Sequence, residues 1–496
     1  MKKTSNGILG HIIGFFNNDE NFRLVFISSF FFASLCLIRD FFYVAAGITM
    51  IWAAYLVGYK FIYKKMIFRV RNRSLIYLFI GLATLTCILH CRHNFFRNMY
   101  IVCYMLFCFL FFYGIHAGRS KNSCRREVCA LLDYLNAVTT IIMLAGLILL
   151  AIFPSGFKIN GDSFAIHENR FVGILFNANV TAFYALMSII FCNILWVMKK
   201  AVGKLHKKQI ILYSICIFIN SLALILTDSN DSLLLLIVYL WFIFFYVIFK
   251  GCKASFMHFL LRFIALIIAG VLIAAVLLTI RTLVQQGVAF LFSLSKPVNT
   301  TSPPKIPGTE VTPPPAQSTP TTFEHQNTNI DSGRFVIWKQ SLGLFRLFPI
   351  FGVGKENIVE FGKYYLGGLK YGDFHNGLIT IIISYGLAGF FTFMIFAITI
   401  AKSMLKAIFR YRNENRKDGR VLMYLTAFCS AYCAYSMFEV ALLVDLSYRI
   451  LIFWLLIGLA ISYVNSYEHS AVLAHENIPD RSRSIYRIAN YRHSSG

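Results

Sequence analysis

His375 opens the stretch "HNGLITIIISYGLAGFF", a histidine set directly ahead of an apolar segment long enough to cross a bilayer. Imidazole titrates near neutral pH and can take the proton from a hydroxyl that is otherwise a poor nucleophile. Two arginines sit in comparable surroundings. Arg170 lies in "ENRFVGILFNANVTA" at the edge of an apolar run, and Arg334 in "SGRFVIWKQSLGLFRLFPIFGVGKEN", in the polar region before His375. Guanidinium groups grip phosphate oxygens through paired charge-assisted hydrogen bonds. One base and two anion-binding cations are the parts needed to move a group from a phosphate-activated donor to a hydroxyl. Taken singly, each has a structural reading too: an interfacial histidine, or arginines reaching for the membrane surface.

What positions them follows from composition. The chain has 496 residues, of which 58% are hydrophobic, 16% aromatic and only 14% charged. Polar surface on that scale cannot coat a soluble globule of this size. Apolar runs of about 17–25 residues, each able to span roughly 30 Å as helix, define an all-α polytopic membrane protein. Twelve spans are read near 24–38, 41–59, 75–91, 99–116, 129–152, 172–197, 209–226, 232–249, 256–280, 376–400, 421–440 and 448–464. The net charge of +25 would point to nucleic acid in a soluble protein. Here the lysines and arginines collect in loops such as "KFIYKKMIFRVRNR", "HAGRSKNSCRREV" and "KKAVGKLHKK" on one side, as in cytoplasmic loops, so no nucleic-acid partner is expected. Both termini then face the cytoplasm and His375 faces outward.

The expected organisation is a cytoplasmic N-terminus (1–23), nine spans (24–281), an outer loop (282–374), three further spans (375–464) and a cytoplasmic tail (465–496). The N-terminus lacks an apolar run with a small-residue cleavage site and reads as a lead-in to the first span, without a cleaved signal peptide. Within the outer loop, eight of the eleven prolines fall in the Pro/Thr-rich part of residues 295–330, which therefore reads as disordered. Residues 333–374 read as ordered and helical, beginning with an amphipathic helix over 333–350. The twelve cysteines form no CxxC pair and read as small core residues, neither disulfides nor metal ligands.

After His375 and Asn376 come nine residues, Gly386, two residues and Gly389. That spacing resembles the signature of the O-antigen ligase and polysaccharide polymerase superfamily at every position. Two further stretches resemble the family's other marks. Arg170, Gly173, Asn177 and Asn179 match its Arg-x-x-Gly-x-x-x-Asn-x-Asn segment, with Ala178 where a proline is common. Arg334, Trp338, Pro349, Gly352 and Gly354 match its Ser-Gly-Arg, Trp and Pro-x-x-Gly-x-Gly run. One departure stands out: relatives usually carry Ser-Arg after the seventh span, where this chain has "TDSNDS" (227–232).

The resemblance implies a bacterial cytoplasmic-membrane glycosyltransferase, inverting and needing no metal or other cofactor. Its donor is a glycan on polyprenyl (undecaprenyl) diphosphate, and its acceptor a hydroxyl of a glycan or glycolipid at the outer face. It assigns diphosphate binding to Arg170 and Arg334 and the base to His375. Asn376, Asn179, Trp338, Gly352, Gly354, Gly386 and Gly389 are supporting residues, and other polysaccharide-assembly proteins are possible partners. The composition leans toward a capsule or exopolysaccharide polymerase over a ligase. The alternative from another class is a flippase for lipid-linked oligosaccharide. Asp228 and Asp231 read as a polar turn before a metal pair, Asp40 as an ion pair with Arg39, and His90 and His93 as interfacial residues.

Overall fold

The computed structural model describes residues 8–63, 70–249, 256–294, 334–369, 374–414 and 416–475. The expected disordered insertion at 295–330 and most of the expected C-terminal tail lie outside the described residues. Fifteen α-helices occupy the described part: α1 (Ile8–Phe16), α2 (Asp19–Phe32), α3 (Arg39–Tyr63), α4 (Arg73–Leu89), α5 (Phe95–Phe107), α6 (Lys121–Ile152), α7 (Ala178–Ala201), α8 (Lys207–Leu226), α9 (Asn230–Phe249), α10 (Phe256–Leu294), α11 (Arg334–Leu347), α12 (Ile358–Leu366), α13 (Gly377–Glu414), α14 (Arg416–Tyr435) and α15 (Tyr448–His475).

Every segment read as a span is largely helical, and nine of the twelve are long and apolar enough to cross a membrane. The other three are α4, with 17 residues, α2, with only 14, and α14, whose first turn is charged. α5, α7 and α15 lie at the centre of the bundle, with faces such as Phe183, Leu186, Ile190, Leu451 and Leu455 fully buried. α10 is the opposite case: among its described residues only Leu266 and Arg281 are buried.

The fold is not purely helical. A three-stranded antiparallel sheet, β1 (Phe157–Ile159), β2 (Asp162–His167) and β3 (Arg170–Gly173), stands between α6 and α7. The span read from residue 172 therefore begins only at Ala178. Two tight turns build the sheet. Asn160 and Gly161 have φ of 51° and 87°, and Glu168 and Asn169 have 50° and 59°, so both hairpins close on two left-handed residues. The sheet packs where Gly146 of α6 meets Gly173; a Cβ on Gly146 would lie 2.9 Å from the Gly173 Cα.

α13 is also not the uninterrupted helix that its apolar run predicts. Gly386 has φ 63° and ψ −169°, which breaks the ladder. The Pro349–Gly354 loop fills the break with its own backbone. Leu387 N–H donates to the Pro349 carbonyl at 2.8 Å and Ala388 N–H to Ile350 at 3.1 Å. In return Val353 and Gly354 N–H donate to the Ile383 and Ser384 carbonyls at 3.0 and 2.9 Å. A helix broken inside a bilayer survives when its orphaned groups find such partners. Glycines 352 and 386 are required here by contact as well as by φ. A Cβ on Gly352 would meet the Ile383 carbonyl at 2.5 Å, and one on Gly386 would fall on the Ile350 carbonyl.

A second departure follows α14, which ends at Tyr435 although its apolar run continues to residue 440. Residues 436–447 are non-helical, yet Val440–Val444 are buried. Buried irregular backbone needs partners, and neighbouring elements supply them: Gly377 N–H to the Ser436 carbonyl (2.7 Å), Asn376 to Met437 (2.9 Å), Tyr432 to Ala441 (2.9 Å), Trp454 to Leu442 (3.0 Å) and Tyr104 to Ser447 (2.8 Å).

Gly386→Ala should destabilise the detergent-solubilised protein by more than the roughly 1–3 kcal/mol of left-handed strain alone, because the loop must also retreat. Gly81→Ala, where a Cβ meets nothing within 4 Å, should be neutral. Thermal unfolding of the two variants side by side checks the contrast.

Candidate active site

The three broken or irregular elements meet at one place. Phe374 is buried and its carbonyl accepts the Trp338 indole N–H at 2.9 Å, so α11 holds the backbone just before His375. His375 itself sits at φ 45°. Asn376 then caps α13, its Oδ1 accepting from Leu378 and Ile379 N–H at 3.0 Å each, while its amide grips Met437. Asn376 thus starts the helix and clamps the 436–447 segment beside the histidine.

That segment delivers a carboxylate which sequence reading does not single out. Glu439 Oε2 lies 4.0 Å from His375 Nδ1 and 3.5 Å from Arg449 Nη1. Nδ1 is buried against the carboxylate while 41% of the His375 side chain is exposed, so the exposure falls on the rest of the ring. Burial would push the Glu439 carboxyl up. The facing His375 ring, with Arg449 and Arg334, outweighs burial and holds it below the ordinary glutamate value. Arg449 is braced in turn by Asp445 (3.6 Å), by the Tyr435 hydroxyl (3.0 Å) and by the Phe183 ring.

Arg334 begins α11. Its Nη2 donates to Asp231 Oδ2 at 2.6 Å, and its guanidinium carbon lies 5.5 Å from the centroid of the Phe438 ring. Phe438 adjoins Glu439, so Arg334 and His375 flank the same turn. Arg170 opens β3. Its Nε donates to the Thr227 carbonyl at 2.8 Å and its Nη2 to Asn179 Oδ1 at 2.5 Å. Asn179 stands in the first turn of α7, where Asn177 is the N-cap and accepts the Asn179 N–H at 2.7 Å. Burial lowers the Arg170 guanidinium from its ordinary value, opposed by Asp228 and Asp231, but an arginine keeps its charge regardless.

His375, Arg334 and Arg170 are therefore linked through Glu439 and Asp231 along the N-terminal ends of α9, α11 and α13, although they are widely separated in sequence. The glycines act one layer beneath. Gly352 and Gly354 shape the loop that fills the α13 break, and on Gly389 a Cβ would lie 2.5 Å from that of Tyr385. His90 and His93 do more than sit at an interface. His90 Nε2 donates to the Gly352 carbonyl at 3.0 Å, and His93 Nδ1 lies 2.8 Å from Glu360 of α12, so the ends of α4 and α5 staple the loop. Asp40 is almost fully exposed beside Arg39, as expected of a surface pair.

Asp228 and Asp231 form the expected polar turn, but each answers an arginine: Asp231 holds Arg334, and Asp228 pairs with Arg281 of α10. Sequence reading misses Glu439, Arg449 and Arg281. A signal existed for the first and last, since an ionisable side chain at the end of an apolar segment is a functional candidate in its own right.

Beside this cluster, an apolar cavity of about 430 Å³ opens between α11 and α13, lined by Phe335, Trp338, Leu342, Phe345, Ile379 and Ile383 among others. It lies over a small second core formed by Ile337, Leu344, Val353, Ile358, Phe361, Phe374 and Ile383. An edge lined by arginine, an imidazole backed by a carboxylate and an apolar trough thus adjoin one another at α11 and the start of α13.

No curated protein matches the chain. Residues 215–394 match the family model of the O-antigen ligases, a stretch that runs from α8 through Arg334, His375 and both glycines of the α13 break. The match covers less than half of the chain; that stretch, with the residues gathered at this site, supports a resemblance to the O-antigen ligase superfamily, in a chain whose long apolar helices are those of a multi-pass membrane protein.

Proposed function

We propose that this protein transfers a glycan from a polyprenyl diphosphate carrier to a hydroxyl of an acceptor glycan at the outer face of a bacterial cytoplasmic membrane. The observation that carries the reading is the joining of His375 and Glu439 to Arg334, Asp231 and Arg170 in one charged cluster beside an apolar trough. Outside the cytoplasm there is no nucleotide sugar or ATP, so an energised lipid is the donor. Its head is anionic and its tail stays in the bilayer. Arg170 and Arg334 bind the diphosphate, Asp231 serving as counter-charge to Arg334 before the donor arrives. The trough between α11 and α13 takes the first prenyl units.

In the transfer step the acceptor oxygen attacks the anomeric carbon, its proton passes to His375, and the bond to the diphosphate oxygen breaks with its electron pair leaving on phosphate. One displacement inverts the configuration. Glu439 fixes the ring through Nδ1, leaves Nε2 toward the acceptor, and stabilises the imidazolium that forms. Arginines supply the positive charge at the leaving group, so the step needs no metal. The acceptor is a growing chain of capsule or exopolysaccharide type, which makes the enzyme a polymerase working beside other polysaccharide-assembly proteins.

Purified protein in lipid, given a synthetic polyprenyl diphosphate oligosaccharide, should release carrier only when acceptor is present. Translocation of the head group with no new glycosidic bond would overturn the reading in favour of a flippase. In the same assay His375→Ala should lower turnover roughly 10²–10⁴-fold, the usual weight of a general base. Arg334→Ala should instead weaken donor binding by about tenfold or more, one charge-assisted contact being lost.

Glu439 gives a pH test. Because its carboxyl is held below the ordinary value, it keeps its charge as pH falls through the usual glutamate range and loses it only below. Glu439→Gln should cut kcat about tenfold and move the acid limb of the pH–rate profile to lower pH, since the protonated ring loses a neighbouring negative charge. An unmoved limb would remove Glu439 from the mechanism.

A further inference from the structure

α7 and α14 pack antiparallel, and their two ends differ. Toward the start of α7, Phe183 packs on Tyr432 and Tyr435 with ring centroids 6.0 and 5.4 Å apart. At the other end a cavity of about 160 Å³ lies between the helices, lined by Trp196, Val197, Lys200, Lys417, Arg420 and Tyr424 among others. Its walls are layered. Lys200 stands in the last turn of α7, and Lys417 and Arg420 in the first turns of α14, whereas Trp196 and Tyr424 lie a turn further in along each helix.

Three cations around one small cavity repel one another unless an anion joins them. None of the three is paired with a described carboxylate. Asp418, next to Lys417, accepts instead from Lys121 of α6 at 2.6 Å, and Asp133 of α6 takes Lys199, the neighbour of Lys200, at 2.7 Å. Trp196 adds an idle donor. The indole N–H groups of Trp52, Trp241, Trp338 and Trp454 each donate to a backbone carbonyl, and that of Trp196 bonds to no described residue.

The group that suits these walls is small, anionic and attached to something apolar. Cavities that enclose a whole small molecule run to roughly 300–1,000 Å³, so this one takes a charged group whose remainder stays outside. The cations end two apolar helices on the basic side of the membrane, with Trp196, Val197 and Tyr424 beneath them, at the level where aromatic rings meet lipid head groups. A phosphodiester with acyl chains below it matches both layers. Free inorganic phosphate would use the upper layer alone.

We propose that this cavity binds the phosphate of an anionic phospholipid from the leaflet on the basic side, with Lys200, Lys417 and Arg420 pairing with the phosphate and Trp196 donating a hydrogen bond to it. The lipid thereby joins α7 to α14 at the end where the cavity separates them. The site is independent of the glycosyl transfer proposed above. Its connection to that chemistry is mechanical: the far end of α7 carries Asn179, the partner of Arg170, and the far end of α14 leads into the segment that bears Glu439.

The test uses the full-length protein in neutral detergent, titrated separately with dioleoylphosphatidylglycerol, dioleoylphosphatidylcholine and inorganic phosphate, and read by thermal unfolding and native mass spectrometry. Phosphatidylglycerol should raise the unfolding midpoint and stay bound as a single molecule per chain, and the other two should do neither. Lys200→Gln, Lys417→Gln and Arg420→Gln combined should weaken phosphatidylglycerol binding about tenfold or more. Lys204→Gln, Lys207→Gln and Lys208→Gln combined remove the same charge from outside the cavity, at the α7–α8 connection and the start of α8, and should leave binding within twofold. Lys417→Glu supplies an anion from the protein itself. It should keep the lipid-free midpoint at or above that of wild type and lose the response to phosphatidylglycerol, and it decides the question alone if the triple cavity variant does not fold. Equal losses in the two triple variants would overturn the proposal in favour of diffuse surface attraction, as would an undiminished response in Lys417→Glu. Phosphatidylcholine or inorganic phosphate acting as well as phosphatidylglycerol would overturn it too, the first by removing the need for charge and the second the need for a lipid.

Discussion

The exchange of backbone hydrogen bonds between the Pro349–Gly354 loop and the break in α13 at Gly386 is the constraint on which the site depends. A continuous helix would carry its first turns onward without interruption and leave the loop with unpaired amides near the membrane surface. Breaking the helix at a left-handed glycine lets two chain segments thirty or more residues apart satisfy each other. Arg334, at the start of α11, and His375, at the start of α13, are thereby locked in register. The two halves of the sequence pattern, Pro-x-x-Gly-x-Gly and His-Asn-x9-Gly-x2-Gly, are complementary strips of one backbone contact.

Above that contact the charges are arranged in near balance. Asp231 answers Arg334, Asp228 answers Arg281, and Glu439 lies between His375 and Arg449. Cations at a membrane face unaccompanied by anions would be hydrated or would bind whichever anionic lipid came first. Intramolecular carboxylates keep the guanidinium groups oriented and partly dry, and they can be exchanged for a ligand with more charge and better geometry. Pairing of this kind trades affinity for selectivity.

How much of this was legible in the sequence depended on distance along the chain. His375, Arg170 and Arg334 are marked by neighbours at fixed local spacing, and the spans by long apolar runs. The sheet at 157–173 carried a readable signal in the Asn160-Gly161 pair, but a long apolar run downstream drew the span start forward to residue 172. The break in α13 is invisible to hydropathy because the run stays apolar on both sides of Gly386; only the glycine's meaning in three dimensions reveals it. Arg449 has no motif around it and is defined by contacts with Glu439, Asp445 and Tyr435. Arg281 stands near the end of its apolar run, where a charge is readable, but its partner Asp228 is 53 residues away in sequence, so the pairing shows only in three dimensions.

α13 also divides the apolar interior. Ile381 and Tyr385 pack into the main bundle, whereas Ile379, Ile382 and Ile383 face the smaller core beneath α11 and α12. His375 and Arg334 ride on the smaller body, Arg170 and Arg449 on the larger, so the charged groups of the site face one another across a seam. An anion held from both sides would act as a rivet through that seam, and its occupancy would be felt as stiffness of the elements on either side.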